Sequence, residues 1–171
     1  MKTNGPRDPA STVTAFSAAD PALGYLYQAR FALLESLRRL SEERAFSVLL
    51  ETLDDVVFDQ QGAPLDLLQL KHHRSGTANL TDTSTDLWKS LRVWIEGRSS
   101  GAIPKDAQLF LITTAQVVEG SAASYLRTSD RDRDVQAAVR ALLSAATTSR
   151  SVANSAAYDV FRNLEAASRT L

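Results

Sequence analysis

Three apolar runs crowd into one short stretch of the chain: FSVLLE (46–51), VVF (56–58) and LDLLQLKH (65–72). Only TLDD and DQQGAP, the latter with a Gly and Pro turn signal, lie between them. This crowding restricts the fold more than any other feature. Strands joined by a few residues pair antiparallel, because a parallel neighbour needs a crossover of roughly a dozen residues or more. The three runs therefore predict a meander. Residues 84–96 follow, with Leu87, Leu91, Trp94 and Ile95 at helical spacing and an end near Gly97, and QLFLITTA (108–115) reads as a fourth strand. A helix between the third and fourth strands is long enough for a right-handed crossover, so those two pair in parallel.

Ahead of the meander, Asp20 and Pro21 mark a helix start, a capping residue and then proline at the first helical position. Leu23, Leu26, Tyr27, Leu34 and Leu37 recur at helical spacing and predict an amphipathic helix over 21–42, with Gly24 in its first turn. Gln28, Phe31 and Glu35 fall on a flank away from that stripe, which reads as solvated. FSVLLE reads as a strand buried on both faces, and HRSGTANLT (73–81) as a polar loop. Beyond the fourth strand, VQAAVRALLSAA (135–146) and YDVFRNLEAA (158–167) predict two further helices. The fold predicted is α/β: an αβββαβ core over 20–115, with a central mixed four-stranded sheet flanked by helices, and a C-terminal helical part over 116–171. Residues 1–19 read as a flexible lead. A chain of 171 residues most simply makes one domain with a real core. Because the helical pattern runs to the last residue, we expect that domain to belong to a longer protein.

Composition excludes several classes of function. The absence of cysteine removes a disulfide scaffold, a zinc-thiolate site and a cysteine nucleophile, and it suits a reducing cytoplasm. The first fifteen residues are polar, and no later run reaches spanning length, so neither a secretory signal nor a membrane partner is expected. Nineteen basic against twenty acidic residues give a net charge of −1. A protein held on DNA by bulk electrostatics would be basic. A nucleic-acid partner here requires a local basic patch, a bound metal, or several subunits around one duplex. RTSDRDRD (127–134) alternates in sign and reads as a solvated loop.

Polar residues interrupt the apolar pattern of the sheet at Glu51, at Asp54 and Asp55, and at Gln69 and Lys71. Strand alternation puts Leu67, Gln69 and Lys71 on one face and Leu68, Leu70 and His72 on the other. A glutamine and a lysine on a core strand cost desolvation energy unless something binds them. With the second and third strands antiparallel, Asp55 and Gln69 approach one another near the sheet end. A carboxylate and an amide oxygen beside a lysine suit a hard divalent cation and an activated water. The cation would neutralise a phosphate oxygen, and the lysine would orient or deprotonate the water. Each residue also has an ordinary explanation: turn chemistry for the Asp-Asp pair, snorkelling for Lys71, and an edge backbone group satisfied by Gln69. His72 and His73 lack the partners of a zinc set and read, with Arg74, as lining a polar cleft that could contact DNA. Trp88 and Trp94 read as packing.

The αβββαβ order, with an acid at the second strand and Gln-x-Lys on the third, resembles the PD-(D/E)xK nuclease superfamily in its Mrr-like, Q-x-K branch. GYLYQARFALL (24–34), LLETLDDVVF (49–58), LLQLKHH (67–73), LTDTSTDLWKSLRVW (80–94) and TTA (113–115) are similar to the double-stranded-DNA endonuclease domain of bacterial antiphage effectors, of the CD-NTase-associated or HerA-associated kind. The similarity covers residues 20–115. It implies a restriction-endonuclease-like fold and a Mg²⁺- or Mn²⁺-dependent endodeoxyribonuclease. By position it makes Asp55 the metal-binding acid with Asp54 as alternate, Gln69 the second ligand, Lys71 the catalytic lysine, and Glu51 an aid through a second metal or a water. Glu35 becomes the candidate for the first-helix acid that joins the site in some members. No proline precedes either aspartate, a departure from the P-D pattern. The implied partners are double-stranded DNA, further copies of the chain in a homo-oligomer, and a fused cyclic-oligonucleotide sensor or a HerA-type ATPase. The competing expectation, motivated by the near-neutral charge and the extra C-terminal helices, is a non-catalytic module of the same fold for DNA binding or oligomeric assembly.

Overall fold

The computed structural model describes residues 19–41, 45–73, 78–129 and 133–164. Helix α1 (Ala19–Leu40) leads into strands β1 (Ser47–Leu50), β2 (Val56–Gln60) and β3 (Ala63–Lys71), each antiparallel to the one before. The β2–β3 connection is tighter than DQQGAP suggests. Asp59, Gln60, Ala63 and Pro64 all join the ladder, which leaves Gln61 and Gly62 as a two-residue turn at φ 56° and 86°. Left-handed backbone at both positions matches the twist of a tight hairpin. Asp59 Oδ1 accepts the Gly62 N–H at 2.7 Å and pins that turn. Pro64, which has no N–H for the ladder, sits beside a register shift at Phe58/Asp59.

Strand β4 (Asn79–Leu80) precedes α2 (Thr85–Ser100), which carries the chain to β5 (Gln108–Thr113), parallel to β3. The sheet order β1-β2-β3-β5 is the mixed, four-stranded arrangement expected. Helix α2 runs through Gly97 and is capped by Gly101 at φ 77°. A Cβ on Gly97 would come within 2.6 Å of Ile103 Cδ1, so that glycine serves close packing and the helix stop lies further on. Strand β4, in the stretch read as a polar loop, pairs in parallel with β6 (Gln116–Val117), at the start of the part read as helical, since two-residue strands carry no periodicity. Helices α3 (Ala122–Tyr125), α4 (Val135–Thr148) and α5 (Ser155–Arg162) complete the chain. Asp134 Oδ1 caps α4 by accepting the Ala137 N–H at 2.8 Å. Helix α5 begins before the predicted residue 158, and positions 165–167 of that prediction lie outside the described residues. Among the described residues, no helix is long and apolar enough to cross a membrane.

Helices cover both faces of the sheet. On one face Tyr27, Phe31 and Ala32 of α1 pack on Val56, Phe58, Leu68 and Leu70. On the other, Val57 and Leu67 meet Trp94, Ile103 and Ala107. Trp88, fully buried, centres a third cluster and meets Tyr158 and Phe161 edge-on at ring-centroid distances of 4.6 and 5.5 Å.

Two expectations are overturned. Strand β1 is an edge strand with Ser47 and Leu49 exposed, not a strand buried on both faces. Of the predicted α1 stripe only Tyr27 packs on the sheet; Leu23, Leu26, Leu34 and Leu37 point outward, as do Leu33 and Leu40, from 46% exposed at Leu26 to 61% at Leu33. The flank carrying Gln28, Phe31 and Glu35 is the half-buried one. Periodicity detects an apolar stripe, but it does not say which of two partly apolar faces meets the sheet.

Candidate active site

The last register pair of the β2–β3 ladder is Val56 with Leu68; one step further, Asp55 stands opposite Gln69. The ladder stops there because residues 51–55 bend away. The Leu70 N–H instead donates to Asp55 Oδ2 at 2.7 Å. A side chain thus supplies the final rung and fixes the Asp55 carboxylate to the end of β3. Its other oxygen has no hydrogen-bond partner among the described residues.

The bend is closed by the Glu51 N–H donating to the Asp55 carbonyl at 3.2 Å. Glu51 adopts φ 53°, a left-handed conformation that costs a non-glycine residue roughly 1–2 kcal/mol. Its carboxylate is exposed, and among the described residues nothing links it to the other polar groups. Asp54, 7% exposed, is held on both oxygens: Oδ2 accepts the Trp94 indole N–H at 2.6 Å, and Oδ1 accepts the Asp55 N–H at 3.0 Å. Burial pushes its carboxyl above the usual carboxylate range. Those two hydrogen bonds oppose the rise, the Asp55 charge adds to it, and the Lys71 ammonium lowers it. Lys71 therefore acts electrostatically on Asp54.

Gln69 is 8% exposed and shares the α2-facing side of β3 with Leu67. Lys71, half-buried, ends the strand. Neither the Gln69 amide nor the Lys71 ammonium has a hydrogen-bond or ion-pair partner among the described residues. The backbone around them is tied down: the Thr114 N–H donates to the Lys71 carbonyl at 3.2 Å, and Thr114 Oγ1 accepts the His73 N–H at 2.8 Å.

Lys71 also lines a cleft of about 600 Å³ with Tyr27, Gln28 and Arg30 of α1, His72 and His73. The two histidines turn to different partners. The His72 ring lies on Tyr27 at a centroid distance of 4.6 Å, and His73 Nε2 meets Asp86 Oδ2 at 3.1 Å. Gln28 Oε1 is buried without a hydrogen-bond partner among the described residues. Arg74 lies outside the described residues. Glu35 does not join this region. It pairs with Arg38 and Arg39 and lines a smaller hollow with Asp66, at the opposite end of β3.

The structure thus gathers Asp54, Asp55, Gln69 and Lys71 at one sheet end and leaves Glu35 and Glu51 apart. Trp94 and Gln28 are the contributors that sequence patterns do not flag. Trp94 has the spacing of a packing residue, and only its indole N–H, which needs a partner when buried, hints at more. Gln28 shares the flank of Glu35 that reads as solvated.

Among the described residues, no group of three or more His, Asp and Glu side chains forms a metal site. The groups at this sheet end that could hold a cation are fewer and would bind through oxygen: an Asp55 carboxylate oxygen and the Gln69 amide, next to Asp54. An incomplete oxygen shell beside a lysine fits Mg²⁺ or Mn²⁺, which retain waters and borrow ligands from a substrate phosphate.

Residues 19–165 match the family model described as Cap4, dsDNA endonuclease domain. No curated protein and no solved structure matches the chain significantly. The family match spans most of the 171 residues and runs through the C-terminal helices, well past residue 115. The chain belongs to this family and is a DNA endonuclease domain.

Proposed function

We propose that this Cap4-family endonuclease domain hydrolyses DNA phosphodiester bonds with a divalent cation, Mg²⁺ or Mn²⁺, as an effector of bacterial antiphage defence. Asp55 and Gln69 would hold the ion, with Asp54 as the supporting acid and Lys71 as the catalytic lysine. One observation carries this reading: the Asp55 carboxylate, the Gln69 amide and the Lys71 ammonium stand at one sheet end, and one Asp55 oxygen, the amide and the ammonium have no partner among the described residues, with Gln69 buried and the other two half-buried. A bound cation would supply charge neutralisation at a phosphate oxygen and a water of lowered pKa.

The rest follows from the chain's own groups. The Leu70 N–H fixes Asp55, so its free oxygen is presented in one orientation. The Trp94 indole holds Asp54, which keeps the bend in shape and adds negative charge behind the ligands. The Lys71 ammonium orients the attacking water and offsets the negative charge that grows on the phosphate. Arg30 and Lys71 give the cleft a local positive edge despite the overall charge of −1. Glu51, exposed and apart, is assigned the smallest contribution, through water or a second cation. Control by a fused cyclic-oligonucleotide sensor or a HerA-type ATPase suits so small and near-neutral a nuclease acting in the cytoplasm.

Plasmid cleavage with Mg²⁺ tests the proposal. Wild type cuts, and Lys71→Ala and Asp55→Asn do not, while all three melt at the same temperature. Equal cutting by wild type and Lys71→Ala removes the lysine from the mechanism. Cutting that persists after chelation removes the cation.

A further inference from the structure

Helix α1 is apolar on two sides. Tyr27, Phe31 and Ala32 pack on the sheet, while Leu23, Leu26, Leu33, Leu37 and Leu40 on the other side are between 46% and 61% exposed. With Arg30 between them, these five step along the helix by 3, 4, 3, 4 and 3 residues, the a/d spacing of a coiled-coil seam. The positions flanking the seam, Tyr27, Ala29, Leu34 and Ser36, are neutral, and Leu34 widens the strip.

The chain's other segments are poorly equipped to cover it. Residues 1–18 and 165–171 contain only Met1, Val13, Phe16 and Leu171 as large apolar side chains, and 42–44, 74–77 and 130–132 contain none. We infer that this seam pairs with the same seam of a second copy, with the two helices antiparallel.

Direction follows from Arg30. In a parallel pair each layer stacks a residue on itself, which would set Arg30 against Arg30 in a desolvated core. An antiparallel pair centred between Phe31 and Ala32 instead sets Leu23 against Leu40, Leu26 against Leu37, and Arg30 against Leu33, so every layer contains a leucine. The arginine stem covers that leucine while its guanidinium reaches water at the edge.

Leu23, Leu26 and Arg30 also line the cleft beside Lys71. The C-terminal turn of the second α1 therefore stands at the cleft wall, and each copy completes the other's cleft. Two clefts related by a two-fold axis match the two strands of a duplex. That last step rests on the nuclease reading; the pairing does not.

Sedimentation of the full chain, without DNA, tests the pairing. Wild type sediments at twice the chain mass, and Leu33→Glu/Leu37→Glu at the monomer mass with an unchanged circular dichroism spectrum. Because the chain has no cysteine, direction is read by cross-linking. Under oxidation, Leu23→Cys/Leu40→Cys gives a covalent dimer and Leu23→Cys alone does not. A wild-type monomer, a dimer indifferent to the glutamates, or efficient cross-linking by Leu23→Cys alone overturns the inference. Lys71→Ala sediments as wild type, which keeps this result separate from any failure of the catalytic reading.

Discussion

At the N-terminal end of β3 the Asp66 carboxylate meets Arg39 Nη1 at 2.6 Å, and the same guanidinium lies 3.9 Å over the Phe58 ring and 3.6 Å from Glu35. At the C-terminal end, which Lys71 closes five residues further on, an Asp55 oxygen, the Gln69 amide and the Lys71 ammonium have no such partners among the described residues. The strand carries charged groups at both ends, but only one end neutralises them internally. Stability favours the first arrangement, since a buried charge left unpaired is costly. At the second end Asp55 and Lys71 are half-buried and stay open to solvent, where a cation with a phosphate would meet them.

The largest expected effect breaks the C-terminal end. Lys71→Ala lowers Mg²⁺-dependent plasmid cleavage by at least about 100-fold, in the range that one charge-stabilising or proton-transferring group contributes. Folding stability stays within about 0.5 kcal/mol, because the ammonium loses no described partner. A stability loss as large as the activity loss would make Lys71 a structural residue and erase the contrast.

Asp66→Ala should behave in the opposite way. It strips Arg39 of its closest carboxylate in a largely buried setting, at a cost of about 2–3 kcal/mol in urea unfolding once partial exposure is allowed for. Cleavage per folded molecule should not change. Lost activity in folded Asp66→Ala would show that the two ends are coupled.

How far these ends were visible in the residues differs. The meander, the crossover and the approach of Asp55 to Gln69 all follow from loop lengths and strand alternation, and those local rules survive folding. The orientation of α1 does not follow. Phe31 and Ala32 with Tyr27 make a core face as good as the leucine stripe, so choosing between them requires knowing what the stripe itself meets. Glu35 was legible only as a helix position. That it lies beside Arg39 and Asp66, far from Lys71, depends on how α1 runs across the sheet. Trp94 was legible as packing, and its bond to Asp54 depends on the bend at 51–55, which no periodicity encodes.

Trp94→Phe, third in size, sharpens the comparison by striking the C-terminal end through a structural link. The ring volume is nearly kept, but Asp54 Oδ2 loses its donor while it stays buried. Unfolding should become easier by about 1–2 kcal/mol. The Asp54 carboxyl should also titrate higher, since this hydrogen bond is what chiefly opposes the effect of burial. Cleavage should fall about 10-fold, as for loss of a group that orients a ligand. A stability loss with full activity would confine Trp94 to packing.

The smallest effect belongs to Glu35→Gln. The glutamate touches Arg38 at 3.5 Å and Arg39 at 3.6 Å, both long contacts, and its side chain is 23% exposed. Pairs of this kind contribute a few tenths of a kcal/mol, up to about 1. Asp66 still holds Arg39 when Glu35 is neutral, so the melting temperature should barely move. The cleavage rate and its Mg²⁺ dependence should match wild type, because Glu35 stands at the paired end of β3. This variant is the most direct probe of whether the two ends are independent. Glu35 would have to leave Arg39 and enter the cleft beside Lys71 to touch the reaction. A drop in cleavage with Glu35→Gln, at unchanged stability, would mean that α1 shifts along the sheet when DNA binds and that the separation of the two ends holds only for the free protein.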